Sequence, residues 1–187
     1  MTETPFSGIR LLTAPGEVMT PRPASEALVD AAVELLGGRP AQVADVGTGS
    51  GAIAVALGLR APNTRIWATD VSEAAVELAR ANVSRHGLED RISVSRGDLL
   101  EGVPEDLDLI VANLPYLPER LRSERPELAS EPVVACFAPG DGLGHYRRLL
   151  AESASALRPD GALLIQLHRR VIAMRAAELD RVYAAAA

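Results

Sequence analysis

Five short strand-like runs, Gln42–Val46, Thr64–Thr69, Arg91–Ser95, Leu107–Val111 and Ala162–Leu167, alternate with segments whose apolar residues recur at helical spacing. That alternation leaves few topologies open. It predicts an α/β fold, a doubly wound and mostly parallel sheet with right-handed crossovers. Leu107–Val111 reads as an apolar strand buried on both faces, the mark of a sheet covered by helices above and below. The helical segments are Ala24–Leu36, stopped by Gly37-Gly38, then Ala52–Leu59, a helix capped by Ser72 and ending at Gly87, His145–Leu157, and Val171 to about Tyr183.

Outside this frame lie two irregular stretches. Residues 1–23 carry Pro5, Pro15, Pro21 and Pro23 with Gly8 and Gly16, and read as an N-terminal arm with a short extended piece at Ile9–Leu12. Residues 24–187 then form one domain. Residues 117–144, with Pro118, Pro126, Pro132 and Pro139, form a loop long enough to be functional.

Composition excludes more than it selects. With only six aromatic residues the core must be aliphatic, and a net charge of −6 has the wrong sign for a surface that grips nucleic acid. One cysteine, Cys136, cannot make an intrachain disulfide, and His86, His145 and His168 show no metal-ligand spacing. No apolar stretch approaches membrane-spanning length, so a cytoplasmic protein with no membrane partner and no metal is expected.

The first strand runs into Asp45-Val46-Gly47-Thr48-Gly49-Ser50-Gly51-Ala52. Glycines here let the backbone turn sharply and let a ligand lie against it, with the free N–H groups of a helix facing that ligand. A dinucleotide site is the main rival, since Gly47, Gly49, Ala52 and Asp70 satisfy its spacing. The acid at Asp45 and the third glycine at Gly51 favour instead a ligand bearing an ammonium, as S-adenosylmethionine does. Asp70 closes the second strand, where a carboxylate can accept both ribose hydroxyls, with Val71 beside it. Asp98, after the third strand, is placed to meet an adenine amino group, with Leu99 against the ring.

The fourth strand ends in Asn113-Leu114-Pro115-Tyr116. The Asn113 side chain and the Leu114 carbonyl are two acceptors for a planar NH2, Pro115 fixes the backbone, and Tyr116 offers a ring face. An amide or aniline-like nitrogen is a poor nucleophile because its lone pair is delocalised. Two acceptors orient it and favour a more tetrahedral nitrogen as it attacks, so positioning and electrostatics carry the rate.

These residues resemble the class I S-adenosylmethionine-dependent methyltransferases of the HemK/PrmC type, which methylate a protein glutamine amide. The resemblance runs from about residue 8 to residue 170. It rests on Met19-Thr20-Pro21-Arg22-Pro23-Ala24-Ser25-Glu26, the glycine loop, Asp70, Asn82 and the Asn-x-Pro-Tyr tetrapeptide. It rests also on Pro126-Glu127-Leu128 to Glu131-Pro132 and Gly140-Asp141-Gly142-Leu143 to Tyr146-Arg147. The resemblance implies a Rossmann-like fold, S-adenosylmethionine as cofactor, and a peptide-chain release factor or other protein as partner.

The chain departs from the family in four places. Leu114 replaces the usual Pro, which brings the tetrapeptide closer to adenine N6-methyltransferases acting on RNA or DNA. Gln166 replaces an acidic residue. About 20 residues precede Pro21, where the family has a helical domain, and the closing strand pair is expected to be missing. Adenine methylation, methylation of a small molecule, and a role as a cofactor-binding partner subunit are the alternatives. Against nucleic acid, Arg120, Arg122 and Arg125 are matched by Glu119, Glu124 and Glu127.

Overall fold

A computed structural model of the chain describes residues 1–168 and 170–179. The arm opens with a hairpin, β1 (Thr2–Phe6) and β2 (Ile9–Thr13), paired antiparallel around Ser7-Gly8. Both turn residues have positive φ, 48° and 79°, the backbone that a two-residue hairpin needs. The extended piece at Ile9–Leu12 is therefore half of a hairpin, and the start of the chain is not irregular. Pro5 is tolerated because β1 is an edge strand.

From there the elements run α1 (Glu26–Leu36), β3 (Ala41–Val46), α2 (Ala52–Arg60), β4 (Thr64–Asp70), α3 (Glu73–Arg85), β5 (Ile92–Arg96) and β6 (Leu107–Ala112). The long loop holds the short pieces β7 (Leu117–Pro118), α4 (Val133–Cys136) and β8 (Phe137–Ala138), with β7 and β8 paired in parallel. Next come α5 (Gly144–Ala156), β9 (Leu157–Leu167) and β10 (Arg170–Arg175). Ser72 caps α3 as expected, its hydroxyl accepting the Ala75 N–H at 3.4 Å.

The six-stranded sheet has the order β10-β9-β6-β3-β4-β5. All pairs are parallel except β10 with β9. Val171 to Arg175 thus form an edge strand, not the helix expected from Val171; a helical turn begins only at Ala176. A short apolar run fits either period, and here pairing with β9 decides it. The end of that expected helix, near Tyr183, lies outside the described residues.

Strand alternation splits the core in two. Val43, Ile66, Leu109, Val111 and Leu164 face a layer built by α1, α2 and the hairpin. Ala44, Val46, Ile110, Leu163 and Ile165 face the layer of α5. The polar exception within β6 is Asp108, 3% exposed at the start of the strand. Winding proceeds outward from β3 through β4 to β5, then returns to place β6 on the other side of β3. The carboxyl ends of β3 and β6 therefore flank the point where strand order reverses, the place where open α/β sheets bind ligands. Among the described residues no helix is long and apolar enough to cross a membrane.

Candidate active site

In the sheet Val46 lies opposite Ala112, so the glycine loop after β3 and the Asn113–Tyr116 tetrapeptide after β6 leave the sheet side by side. Gly47 stands at φ 71°, and a Cβ there would come within 2.6 Å of Leu114 Cδ2. The positive φ favours glycine here, and a side chain would also push the tip of Leu114 aside. The departure at Leu114 is thus a packing element: its side chain backs the loop while its carbonyl remains main chain.

Gly47, Thr48, Gly49, Ser50, Asp70, Val71, Asp98, Leu99, Asn113, Leu114 and Pro115 all line one cleft that opens to solvent. The Gly47 and Thr48 N–H groups donate to the Thr69 carbonyl, each at 2.9 Å. Asp70 receives the Gly49 N–H at 2.9 Å and the Ser72 N–H at 3.0 Å, one on each carboxylate oxygen. Each oxygen keeps acceptor capacity for a hydroxyl pair. Leu99 is buried at φ 52°, a strained backbone for a branched residue. The Asp98 carboxylate is already paired with Arg148 at 2.9 Å.

Two expected cofactor residues stand outside that wall. Gly51 packs on α3, where a Cβ would sit 3.2 Å from Ala79 Cα. Asp45 lies fully buried beneath the loop, so it does not face a ligand directly as its position in the sequence suggests. Its Oδ2 accepts the Thr48 hydroxyl at 2.7 Å and the Ala54 N–H at 3.1 Å, which ties the loop to α2. Its Oδ1 has no hydrogen-bond partner among the described residues. Burial raises the Asp45 carboxyl to about 6, only partly offset by those two donors. A half-satisfied buried acid under a glycine cradle fits a cationic ligand, and Gly49, with no described side chain over it, leaves the cradle open.

Tyr116 lines a second cavity together with Ser25, Asn113, Leu114, Gln166 and His168. Asn113, Leu114 and Pro115 line both cavities, as do Met19, Arg22, Ser25 and Ala135, so the first three residues of the tetrapeptide belong to the wall the cavities share. Asn113 Nδ2 donates to the Ser25 hydroxyl at 2.9 Å, which leaves Oδ1 as the acceptor end of the amide. The Tyr146 hydroxyl accepts the Leu114 N–H at 3.0 Å and donates to the Gln166 carbonyl at 2.7 Å. It lies farther, 3.2 Å, from the Leu114 carbonyl, which keeps a lone pair available. Burial pushes the Tyr146 phenol well above its ordinary range, so it stays a neutral donor. The Tyr116 ring meets His168 edge-on, with centroids 4.9 Å apart.

The long loop is fastened to this wall. Glu131 accepts the Thr20 N–H at 3.1 Å and pairs with Arg22 at 2.9 Å, joining two of the segments quoted above. Gly142, at φ 89°, rests on the tetrapeptide; a Cβ there would collide with the Tyr116 carbonyl oxygen. Asp141 receives Arg147 at 2.6 Å and the Leu143 N–H at 3.0 Å, and the Arg147 hydrogen bonds hold its carboxyl at about 2. Asn82, fully buried, bonds the N–H and C=O of Leu12 and the Ser50 carbonyl, so it fixes the hairpin to the glycine loop. Ser25, Glu131, Tyr146 and Asn82 were legible only through the resemblance; spacing alone marks none of them as site residues.

The family model for the methyltransferase small domain matches residues 22–126, the stretch that carries both the glycine loop and the tetrapeptide. The chain belongs to this family. It is 41% identical over 179 residues to the release factor glutamine methyltransferase of Deinococcus radiodurans, covering 95% of this chain and 63% of the relative. To that of Gloeobacter violaceus it is 41% identical over 154 residues, covering 80% and 54%. The chain thus spans between about half and two thirds of these relatives. Among solved structures, a ribosomal protein L11 methylase from Lactobacillus delbrueckii subsp. bulgaricus aligns with a TM-score of 0.57 at 26% identity, over 79% of this chain and 62% of that one.

Proposed function

We propose that this chain is the catalytic part of an S-adenosylmethionine-dependent N-methyltransferase whose acceptor is a glutamine side-chain amide of a protein, a peptide-chain release factor first among candidates. One observation carries the reading: Asn113, Leu114 and Pro115 form a wall common to two cavities, one fit for the donor and one for the acceptor. The names of the two relatives support the acceptor class.

The cofactor, when bound, supplies an electrophilic methyl on its sulfonium. The glycine loop would hold its amino-acid end above Asp45, Asp70 its ribose hydroxyls, and Val71, Asp98 and Leu99 its base. On the other face, Asn113 Oδ1 and the Leu114 carbonyl accept the two hydrogens of the incoming amide. That orients the nitrogen for transfer and favours a more tetrahedral geometry, in which its lone pair is withdrawn from conjugation with the amide carbonyl. Ser25 keeps the Asn113 amide from rotating, and Tyr146 keeps Leu114 in register. Tyr116 covers the amide plane. No general base is required before transfer: the methyl would leave its sulfonium as a neutral thioether, and the methylated, more acidic nitrogen would then release its proton to water.

Mass spectrometry of a glutamine peptide incubated with the protein and S-adenosylmethionine tests this. Methylation of the glutamine is expected; its absence while calorimetry shows bound donor would overturn the reading. Calorimetry with NAD in parallel checks the rival cofactor.

A further inference from the structure

Among the polar side chains that line the second cavity, Gln166 has an atom left without a partner among the described residues. Gln166, at the end of β9, is 2% exposed and lines this cavity. Its Nε2 donates to the His168 carbonyl at 3.2 Å. Its Oε1 has no partner among the described residues. Buried carbonyls are ordinarily hydrogen-bonded, so an orphan in a cavity wall points to a donor that arrives with a ligand.

The geometry holds the amide in this orientation. His168 stands at φ 56°, outside the range most residues adopt, which brings its carbonyl back to Nε2. Tyr116 meets its ring edge-on and belongs to the tetrapeptide. The main chain of Gln166 is one hydroxyl away from that tetrapeptide, since Tyr146 bridges the Gln166 carbonyl and the Leu114 N–H. Met19, Ala24, Leu117, Leu128 and Ala135 give the cavity an apolar wall, and the one charged side chain lining it, Arg22, is paired with Glu131 and would repel a further cation. An uncharged acceptor in an apolar cavity suits an uncharged donor better than an ammonium or guanidinium, which would enter unpaired. A peptide whose glutamine side chain sits in the tetrapeptide brings one such donor with it, its own main-chain N–H.

We propose that Gln166 is a specificity-determining residue of the acceptor cavity, its Oε1 receiving a main-chain N–H of the acceptor peptide next to the glutamine being methylated. This rests on the amide-methylating reading above. It makes the neutral amide at 166 a reader of peptide backbone, and so separates peptide acceptors from free amides and nucleobases.

The test measures kcat and KM for a short glutamine peptide, and for peptides with single N-methylated backbone positions on either side of the glutamine. Wild type and Gln166→Leu are compared. One hydrogen bond of this kind is worth about tenfold in kcat/KM. We expect Gln166→Leu to raise KM by about that factor with kcat within about twofold. One N-methylated position should cost the wild type the same factor and cost the variant nothing further. Unchanged kinetics in a folded Gln166→Leu protein overturns this inference alone. If the variant does not fold, the backbone scan on wild type decides: no sensitive position overturns the inference. No methylation by wild type, with the donor bound, overturns this inference together with the reading it rests on.

Discussion

Two buried aspartates at opposite ends of the same strand pair, β3 and β6, show how this sheet divides stability from function. At the floor, Asp108 is saturated: its carboxylate takes the Gln42 N–H at 2.7 Å, Arg158 at 2.8 Å and Arg39 at 3.3 Å. At the rim, Asp45 is equally buried but keeps one oxygen without a partner. The floor acid ties the start of β6 to its neighbours and asks for nothing more. The rim acid holds the glycine loop with one oxygen and keeps negative potential in reserve with the other. A fully satisfied charge reads as architecture, a half-satisfied one as a site.

Breaking the floor should give the largest effect. Asp108→Ala removes the partner of Arg39 and Arg158 and orphans the Gln42 N–H. Because both arginines reach solvent, the expected loss is about 3 kcal/mol, at the lower end for a broken buried pair. Urea unfolding measures it, and a loss below about 1 kcal/mol would contradict the assignment of Asp108 to the scaffold.

The rim acid should show itself in pH. Asp45 is easier to protonate folded, at about 6, than in an unfolded chain, at the ordinary 3.8. Below both values the carboxyl is protonated in either state and contributes nothing. Between them the folded state holds a proton the unfolded state has released, so stability falls as pH rises. Above about 6 the full penalty is present, on the order of 3 kcal/mol. Asp45→Asn should remove that slope in urea titrations across the same window. A cationic donor should bind more tightly as pH rises through about 6, with proton release on binding; Asp45→Asn should abolish that dependence.

A smaller effect separates positioning from packing. Tyr146→Phe removes the hydroxyl that joins Leu114 to Gln166 and should cost about 1 kcal/mol of stability. Its kcat should fall while donor affinity, measured by calorimetry, stays within about twofold. Equal loss of both would mean the tyrosine only supports the fold.

Much of this frame is legible in the sequence. The central parallel strands announce themselves because strands buried on both faces leave dense apolar runs, the edge strand β5 shows itself by alternation, and the Ser72 cap follows from local chemistry alone. The hairpin was hidden by Pro5, although Ser7-Gly8 is a two-residue turn of the right kind. At β10, Val171 to Arg175 is too short for its period to distinguish strand from helix, and only pairing with β9 settles it. Asp108 was passed over because four apolar neighbours dominate the run from Leu107 to Val111. For the site, spacing located the glycine loop, Asp70 and the tetrapeptide but not the side of the loop on which Asp45 lies. The links through Ser25, Tyr146 and Glu131 join residues distant in the chain, and spacing carries no signal for such contacts.

The wall shared by the two cavities carries the proposed transfer, and Asn113 is its acceptor side chain. Mass spectrometry of a glutamine peptide after incubation with S-adenosylmethionine, comparing wild type with Asn113→Ala, tests it directly. Wild type should place a methyl group on the glutamine and Asn113→Ala at least about a hundredfold less, with no more than about 1 kcal/mol of stability lost with the Ser25 hydrogen bond. Equal methylation by both proteins, or transfer to the peptide anywhere but its glutamine, would contradict it.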